Sequence, residues 1–175
     1  AAEKVVYPFG YGLSYTTFDV ETVSAGVVNS NCTSEANKLY AKVRVTNTGK
    51  FSGKEVVQVY IAKPQGKLGK PAKELAAFEK TRELQPGESQ LMILTWEIND
   101  MASYDDLGKV KKSAYVLEAG SYDIYVGTSV RDVTKADYSY ILNRDVITEQ
   151  LSAKLVPTSL PKRMLADGSY EALPQ

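Results

Sequence analysis

The chain contains no histidine. That removes the commonest general base and the commonest metal ligand, and with them every catalytic triad that turns on an imidazole. One cysteine, Cys32, stands alone. An intrachain disulfide, a Cys–Cys zinc pair and a Cys–His dyad are therefore impossible, and a single thiol fits either redox compartment. Catalysis by this chain alone would fall to carboxylates, Lys, Tyr or Ser. No apolar run approaches the ~20 residues of a membrane-spanning helix, and no charged-then-apolar signal stands at the N-terminus. Charge of one sign is lacking too. Twenty-one Lys and Arg balance 21 Asp and Glu at a pI of about 6.6, whereas a nucleic-acid binder needs concentrated positive charge. Gly10-Tyr11-Gly12 has no third glycine and no following helix, so it is no phosphate cradle. No internal repeat is present.

What is there suits a soluble globular domain, with 43% apolar and 24% charged residues. At 175 residues it can bury roughly two-thirds of its unfolded surface and needs no staples. Short alternating runs dominate. In Lys38 to Thr46, Leu39, Ala41, Val43 and Val45 oppose Lys38, Tyr40, Lys42, Arg44 and Thr46, the period of a half-buried strand. Thr17 to Val23 alternates likewise. Glu55 to Ala62 holds Val56, Val57, Val59, Tyr60 and Ile61 and reads as a strand buried on both faces. Glu74 to Lys80 is a further short run. Ser89 to Ile98 sets Met92, Leu94, Trp96 and Ile98 against Leu91 and Ile93. Ala114 to Glu118, Tyr122 to Thr128 and Tyr138 to Leu142 follow. Seven or eight strands between turn signals, without a convincing helix, predict an all-β, two-sheet antiparallel sandwich. Leu117-Glu118-Ala119-Gly120-Ser121-Tyr122 has the form of a tyrosine corner, with Tyr122, Ile124 and Val126 facing inward.

The ends read differently. Residues 1–15 form an aromatic connector, Tyr7-Pro8-Phe9-Gly10-Tyr11-Gly12-Leu13-Ser14-Tyr15. It is either a docking strap, with Tyr7, Phe9 and Tyr11 as interdomain packing residues, or a plain lead-in loop whose rings pad the sandwich edge. Residues 16–143 are the sandwich. Residues 144–175 read as an extended tail or linker to a following domain, with one helical turn near Thr148 to Leu155. The chain is expected to be a piece of something longer.

Few constellations suggest chemistry. Asp105-Asp106 beside Tyr104 is the most tempting. Yet neighbours on an extended chain point to opposite faces, no third oxygen ligand sits at calcium-loop spacing, and the run lacks the twelve-residue calcium pattern. Asn99 to Lys112 reads as a polar, solvated loop or irregular strand edge. Glu79 and Glu83 with Lys80 and Arg82 read as solvated surface. Lys63, Lys67, Lys70 and Lys73 read as a flexible edge that discourages strand-on-strand association, and Lys109, Lys111 and Lys112 read the same way. Trp96 falls on an apolar face, which favours burial over stacking on a sugar. Asn31-Cys32-Thr33 formally fits the glycosylation acceptor pattern. No cofactor or metal is expected.

The ordered set of pieces resembles a known family. They are Tyr7 to Phe18, Val45-Thr46-Asn47-Thr48-Gly49, Gly53 to Tyr60, Lys73 to Lys80, Leu84-Gln85-Pro86-Gly87-Glu88 and Gly120 to Gly127. Together they resemble the fibronectin type III-like domain of family 3 glycoside hydrolases of the β-glucosidase type. The resemblance implies an immunoglobulin/fibronectin III-like sandwich in a retaining parent enzyme, whose two catalytic carboxyls lie close together on other domains. The family's nucleophile is an aspartate followed by tryptophan. Here the only tryptophan, Trp96, follows Thr95, so the resemblance carries over no catalytic residue. Lys162 to Pro174 resembles the connector of members with permuted domain order, in which a catalytic domain follows the sandwich. The resemblance implies a non-catalytic accessory domain whose partners are the catalytic domains of its own chain, with a homo-oligomeric parent compatible and no nucleic acid or membrane. The alternatives are a carbohydrate- or cell-wall-binding module, a substrate-gating loop at Tyr104, Asp105 and Asp106, and an independent adhesion sandwich. Cytoplasmic localisation is favoured over secretion, though a leader would lie outside these residues.

Overall fold

The structure is a computed structural model that describes residues 6–28, 37–152 and 161–172. Cys32 and its acceptor triplet lie outside them, as does the end of the expected helical turn. Strand β1 (Phe18–Val27) pairs with β2 (Lys38–Asn47), and β2 pairs with β5 (Ser89–Glu97). The second sheet has the order β4 (Glu74–Lys80), β3 (Val56–Ala62), β8 (Gly120–Gly127), β9 (Val133–Leu142). Every pairing is antiparallel. The chain crosses between the sheets from β2 to β3 and returns from β4 to β5, which closes a two-layer sandwich.

Alternation builds the core. Leu39, Ala41, Val43 and Val45 from β2 meet Val57, Val59 and Ile61 from β3, Met92, Leu94 and Trp96 from β5, and Tyr122, Ile124 and Val126 from β8. Each fully buried aliphatic side chain stabilises by about 1.5–3 kcal/mol relative to exposure. The odd positions of β5, Leu91 and Ile93, stay exposed as the alternation requires. The outward residues of β3, Gln58 and Tyr60, are buried as well, so that strand is covered on both faces. The expected tyrosine corner is present: the Tyr122 hydroxyl donates to the Glu118 carbonyl at 2.9 Å. Burial, then the charge of Glu118, raises the Tyr122 pKa far above the ordinary phenol value. Gly120 permits the turn, because its φ is 138° and a Cβ there would lie 2.5 Å from Pro64 Cβ.

Asn47 closes the end of β2. Its buried amide donates to Phe51 O and Leu84 O, both at 2.8 Å. Its oxygen accepts from Thr16 Oγ1 at 2.9 Å and Gly49 N at 3.0 Å. All four hydrogen-bonding positions of the side chain are filled.

Two expectations need correction, and one resolves to its second alternative. Asn99 to Lys112 is an irregular strand edge: it holds a 3-10 turn (Asn99–Met101) and the edge strand β6 (Ser103–Asp105), which pairs with β7 (Ala114–Leu117). The helical turn near Thr148 is instead a strand, β10 (Val146–Gln150), on the other edge of β7. Its β-branched Val146, Ile147 and Thr148 favour that state. A hairpin of β11 (Lys162–Met164) and β12 (Tyr170–Ala172) follows. Lastly, β9 begins at Val133, earlier than its apolar residues suggest, because Thr134, Lys135 and Asp137 face solvent.

Candidate functional site

The aromatic connector lies on the outer face of β3. Gln58 Nε2 donates to Gly10 O at 2.9 Å and to Thr128 O at 2.7 Å, and Val130 N donates to Phe9 O at 3.0 Å. The Tyr60 hydroxyl donates to Gln58 Oε1 and fixes that amide. Burial raises the Tyr60 pKa, so the phenol stays a donor. The backbone is thus held while the rings stay in water. Phe9 meets Tyr60 edge-on at 6.4 Å and Tyr7 stacks on Tyr11 at 5.5 Å, yet all three remain largely exposed. Leu13 at 89% and Tyr15 at 98% are almost wholly so. Beside them a polar cleft of about 470 Å³ is lined by Tyr11, Asp19, Glu55 and Asp132 among others. Burial raises the Glu55 pKa, with a smaller upward push from Asp132. No group of three or more potential metal ligands occurs among the described residues.

The second region surrounds β7. Asp105 is 0% exposed. One carboxylate oxygen accepts from Gly108 N at 2.7 Å and Lys109 N at 3.0 Å, and the other from Val110 N at 2.7 Å and Lys111 N at 2.8 Å. Burial pushes its pKa up, but the amides of Val110, Lys111, Lys109 and Gly108 together outweigh that and hold it below the usual carboxylate range. Asp105 therefore shapes its own loop from the inside. Its neighbours remain outside: Tyr104 is 40% exposed, and Asp106 lies 3.9 Å from Arg163 Nη1. The tempting triplet is split by the pleat, as neighbouring strand residues must be.

The lysine-rich loop is not a flexible edge. Lys70 is buried against Glu118, which also accepts from Lys67 N at 2.6 Å and Leu68 N at 3.1 Å. Gly66 allows this approach, since a Cβ there would sit 2.4 Å from Glu118 Oε1. Lys63 is buried and pairs with Glu74 at 2.6 Å, and Lys73 lies 4.8 Å from the Tyr125 ring centroid. Nor is Lys109 merely solvated. Its ammonium meets Glu171 of β12 at 2.6 Å, and Arg163 of β11 meets the same carboxylate at 2.8 Å. The Lys109 and Arg163 hydrogen bonds hold the Glu171 pKa low.

Comparison with known proteins places this architecture. Residues 55–130 match the fibronectin type III-like domain. These residues are the part of the chain that is similar to the fibronectin type III-like domain. The β-glucosidase A of Butyrivibrio fibrisolvens is 58% identical over 100% of this chain, which covers 22% of that protein. A β-glucosidase of Kluyveromyces marxianus is 43% identical over 74% of this chain, which covers 14% of that protein. A solved β-glucosidase structure from Paenibacillus barengoltzii superposes with a TM-score of 0.82 at 44% identity, over 98% of this chain and 20% of that one. The chain thus spans about a fifth or less of these relatives.

The fibronectin type III-like frame carries features that the sequence did not announce. Glu118 and Lys70 are 48 positions apart, and only the folded loop joins them. Asp105 did leave a local trace, an Asp followed three positions later by Gly108, the pattern of a side chain capping its own turn.

Proposed function

We propose that this domain is a non-catalytic accessory sandwich of a retaining β-glucosidase of glycoside hydrolase family 3, and that it positions the catalytic domains of its own chain. Residues 1–15 are the connector from the preceding domain, residues 16–143 the sandwich, and residues 144–175 the lead to a following domain, with β10 still laid along the body. One observation carries the reading. The lead-in segment is pinned by its backbone to Gln58 and Val130, yet presents Tyr7, Phe9, Tyr11, Leu13 and Tyr15 outward. Large rings fixed in place but left in water suit a partner that covers them. The greater length of the relatives supports the same reading, since this chain covers 22% of the Butyrivibrio protein and 14% of the Kluyveromyces protein.

The test uses the full parent enzyme. Replacing Phe9, Tyr11 and Tyr15 together with alanine is expected to lower its melting temperature by several degrees while kcat/KM on an aryl β-glucoside at 25 °C stays near the parent value. An unchanged melting temperature would sink the docking role. A large loss of kcat/KM without loss of stability would point to substrate gating instead.

A further inference from the structure

The third sheet has the order β10-β7-β6. In its registers Tyr104 of β6 lies opposite Tyr115 of β7, and Glu149 of β10 lies opposite Tyr115 from the other side. Residues directly opposite in antiparallel pairs share a face. Two rings and a carboxylate therefore form one row across three strands. Tyr104 is 40% exposed and Tyr115 37%, with ring centroids 5.4 Å apart at an interplanar angle of 55°. Glu149 is exposed. The other face of β7 is fixed, because Ala114 and Val116 pack with Leu68 in a small buried cluster. Tyr115 also opens onto a groove of about 380 Å³, lined with it by Asn99, Asp100, Ala102, Thr148 and Glu149.

From this arrangement we infer that the Tyr104–Tyr115–Glu149 row and its groove form a binding site for a neutral oligosaccharide, separate from the aromatic connector. Sugar rings present flat C–H faces that rest on aromatic rings, and hydroxyls that both donate and accept. The groove answers both needs. Tyr115 supplies a face. Asp100 and Glu149 accept, the Asn99 amide donates and accepts, and the Thr148 hydroxyl, which donates to Tyr115 O at 3.3 Å, accepts. Anions are disfavoured by the two carboxylates. A lone cationic side chain would use the rings and carboxylates, but it would waste the Asn99 donors and leave most of the groove empty. The volume lies within the range of small-ligand sites and exceeds what a lysine or arginine tip fills. The choice of a β-linked glucan fragment as ligand rests on the accessory reading given above; the site geometry does not.

The test is saturation-transfer NMR on this chain, with cellobiose and laminaribiose at millimolar concentration and N-acetyl-arginine amide as the cationic probe. Transfer is expected to a disaccharide and not to the arginine derivative. Tyr115→Ala should weaken binding about three- to tenfold, and Tyr104→Ala/Tyr115→Ala should abolish it. Glu149→Gln keeps the side chain's shape on an exposed strand, so it reports on hydrogen bonding even if a tyrosine variant misfolds, and it should weaken binding severalfold. The inference fails if no disaccharide receives transfer, if transfer survives unchanged in Glu149→Gln and in a folded tyrosine variant, or if the arginine derivative alone binds. The parent-enzyme melting experiment uses none of these residues, so either proposal can fall without the other.

Discussion

Asp105 offers the sharpest test of how this domain holds its loops. Its buried carboxylate accepts four backbone amides, from Gly108, Lys109, Val110 and Lys111. A hydrogen bond to a charged group contributes about 1.5–3 kcal/mol, but four bonds to one side chain are not additive, and amides freed by truncation recover part of the loss from water. Asp105→Ala should therefore cost about 3–4 kcal/mol. For a domain of this length 1 kcal/mol corresponds to about 3 °C, so the melting temperature should fall by about 10 °C. Asp105→Asn keeps the side-chain volume and one acceptor but turns its NH2 against two of the four amides, so it should also destabilise. The pH dependence separates charge from shape. Folding lowers the Asp105 pKa, so the folded state binds its proton more weakly than the unfolded chain does. The stabilisation is full above the ordinary carboxyl value of about 4 and is lost as the pH falls through the lower folded value. Calorimetry from neutral to acid pH should show the gap between the native chain and Asp105→Asn shrinking over that window. A loss below about 1 kcal/mol for Asp105→Ala, or a gap independent of pH, would refute the argument.

Two further outcomes follow from the same physics. Glu118→Leu strands the Lys70 ammonium and the amides of Lys67 and Leu68, and breaking a buried pair in this way costs about 3–5 kcal/mol. Chemical denaturation should show it, and adding Lys70→Met should recover part of the loss. Asn47→Ala removes a side chain whose four positions are all used. It should cost about 2–4 kcal/mol, measurable as a shift in denaturation midpoint, with faster amide exchange at Gly49.

The main sandwich was legible because its strands are long enough to show a period. Leu39, Ala41, Val43 and Val45 alternate without exception, and burial follows them residue by residue. Tyr122 was legible for another reason, because a corner needs only a turn glycine and a tyrosine two positions on. The third sheet was not. β6 spans three residues, Ser103–Asp105, too few for any period, and its inward residue is an aspartate. A buried carboxylate cannot be told from a solvated one until the amides that satisfy it are folded around it. The same holds for Lys63 and Lys70, whose burial depends on Glu74 and Glu118 arriving from elsewhere in the chain. The row of Tyr104, Tyr115 and Glu149 needs two strand registers before it exists at all. Of the candidate loop Tyr104, Asp105 and Asp106, the sequence supplied the place and the pleat divided the roles.

Two buried carboxylates and one half-buried one share a location. Glu118 shapes the loop at 66–70, Asp105 the loop at 108–111, and the half-buried Glu171 ties the β11–β12 hairpin to Lys109. All three lie at the β6–β7 end of the molecule, where the apolar cluster is small, with only Leu68, Ala114 and Val116 fully buried. Apolar burial sets the sandwich, but it cannot hold long loops that have little apolar surface to bury. Directed bonds to an internal carboxylate can, because each fixes a particular amide rather than an area. A loop ordered in advance loses less conformational freedom when something docks against it. The cost of keeping charges inside is then explained by what they hold still: the tyrosine row and the β11–β12 hairpin.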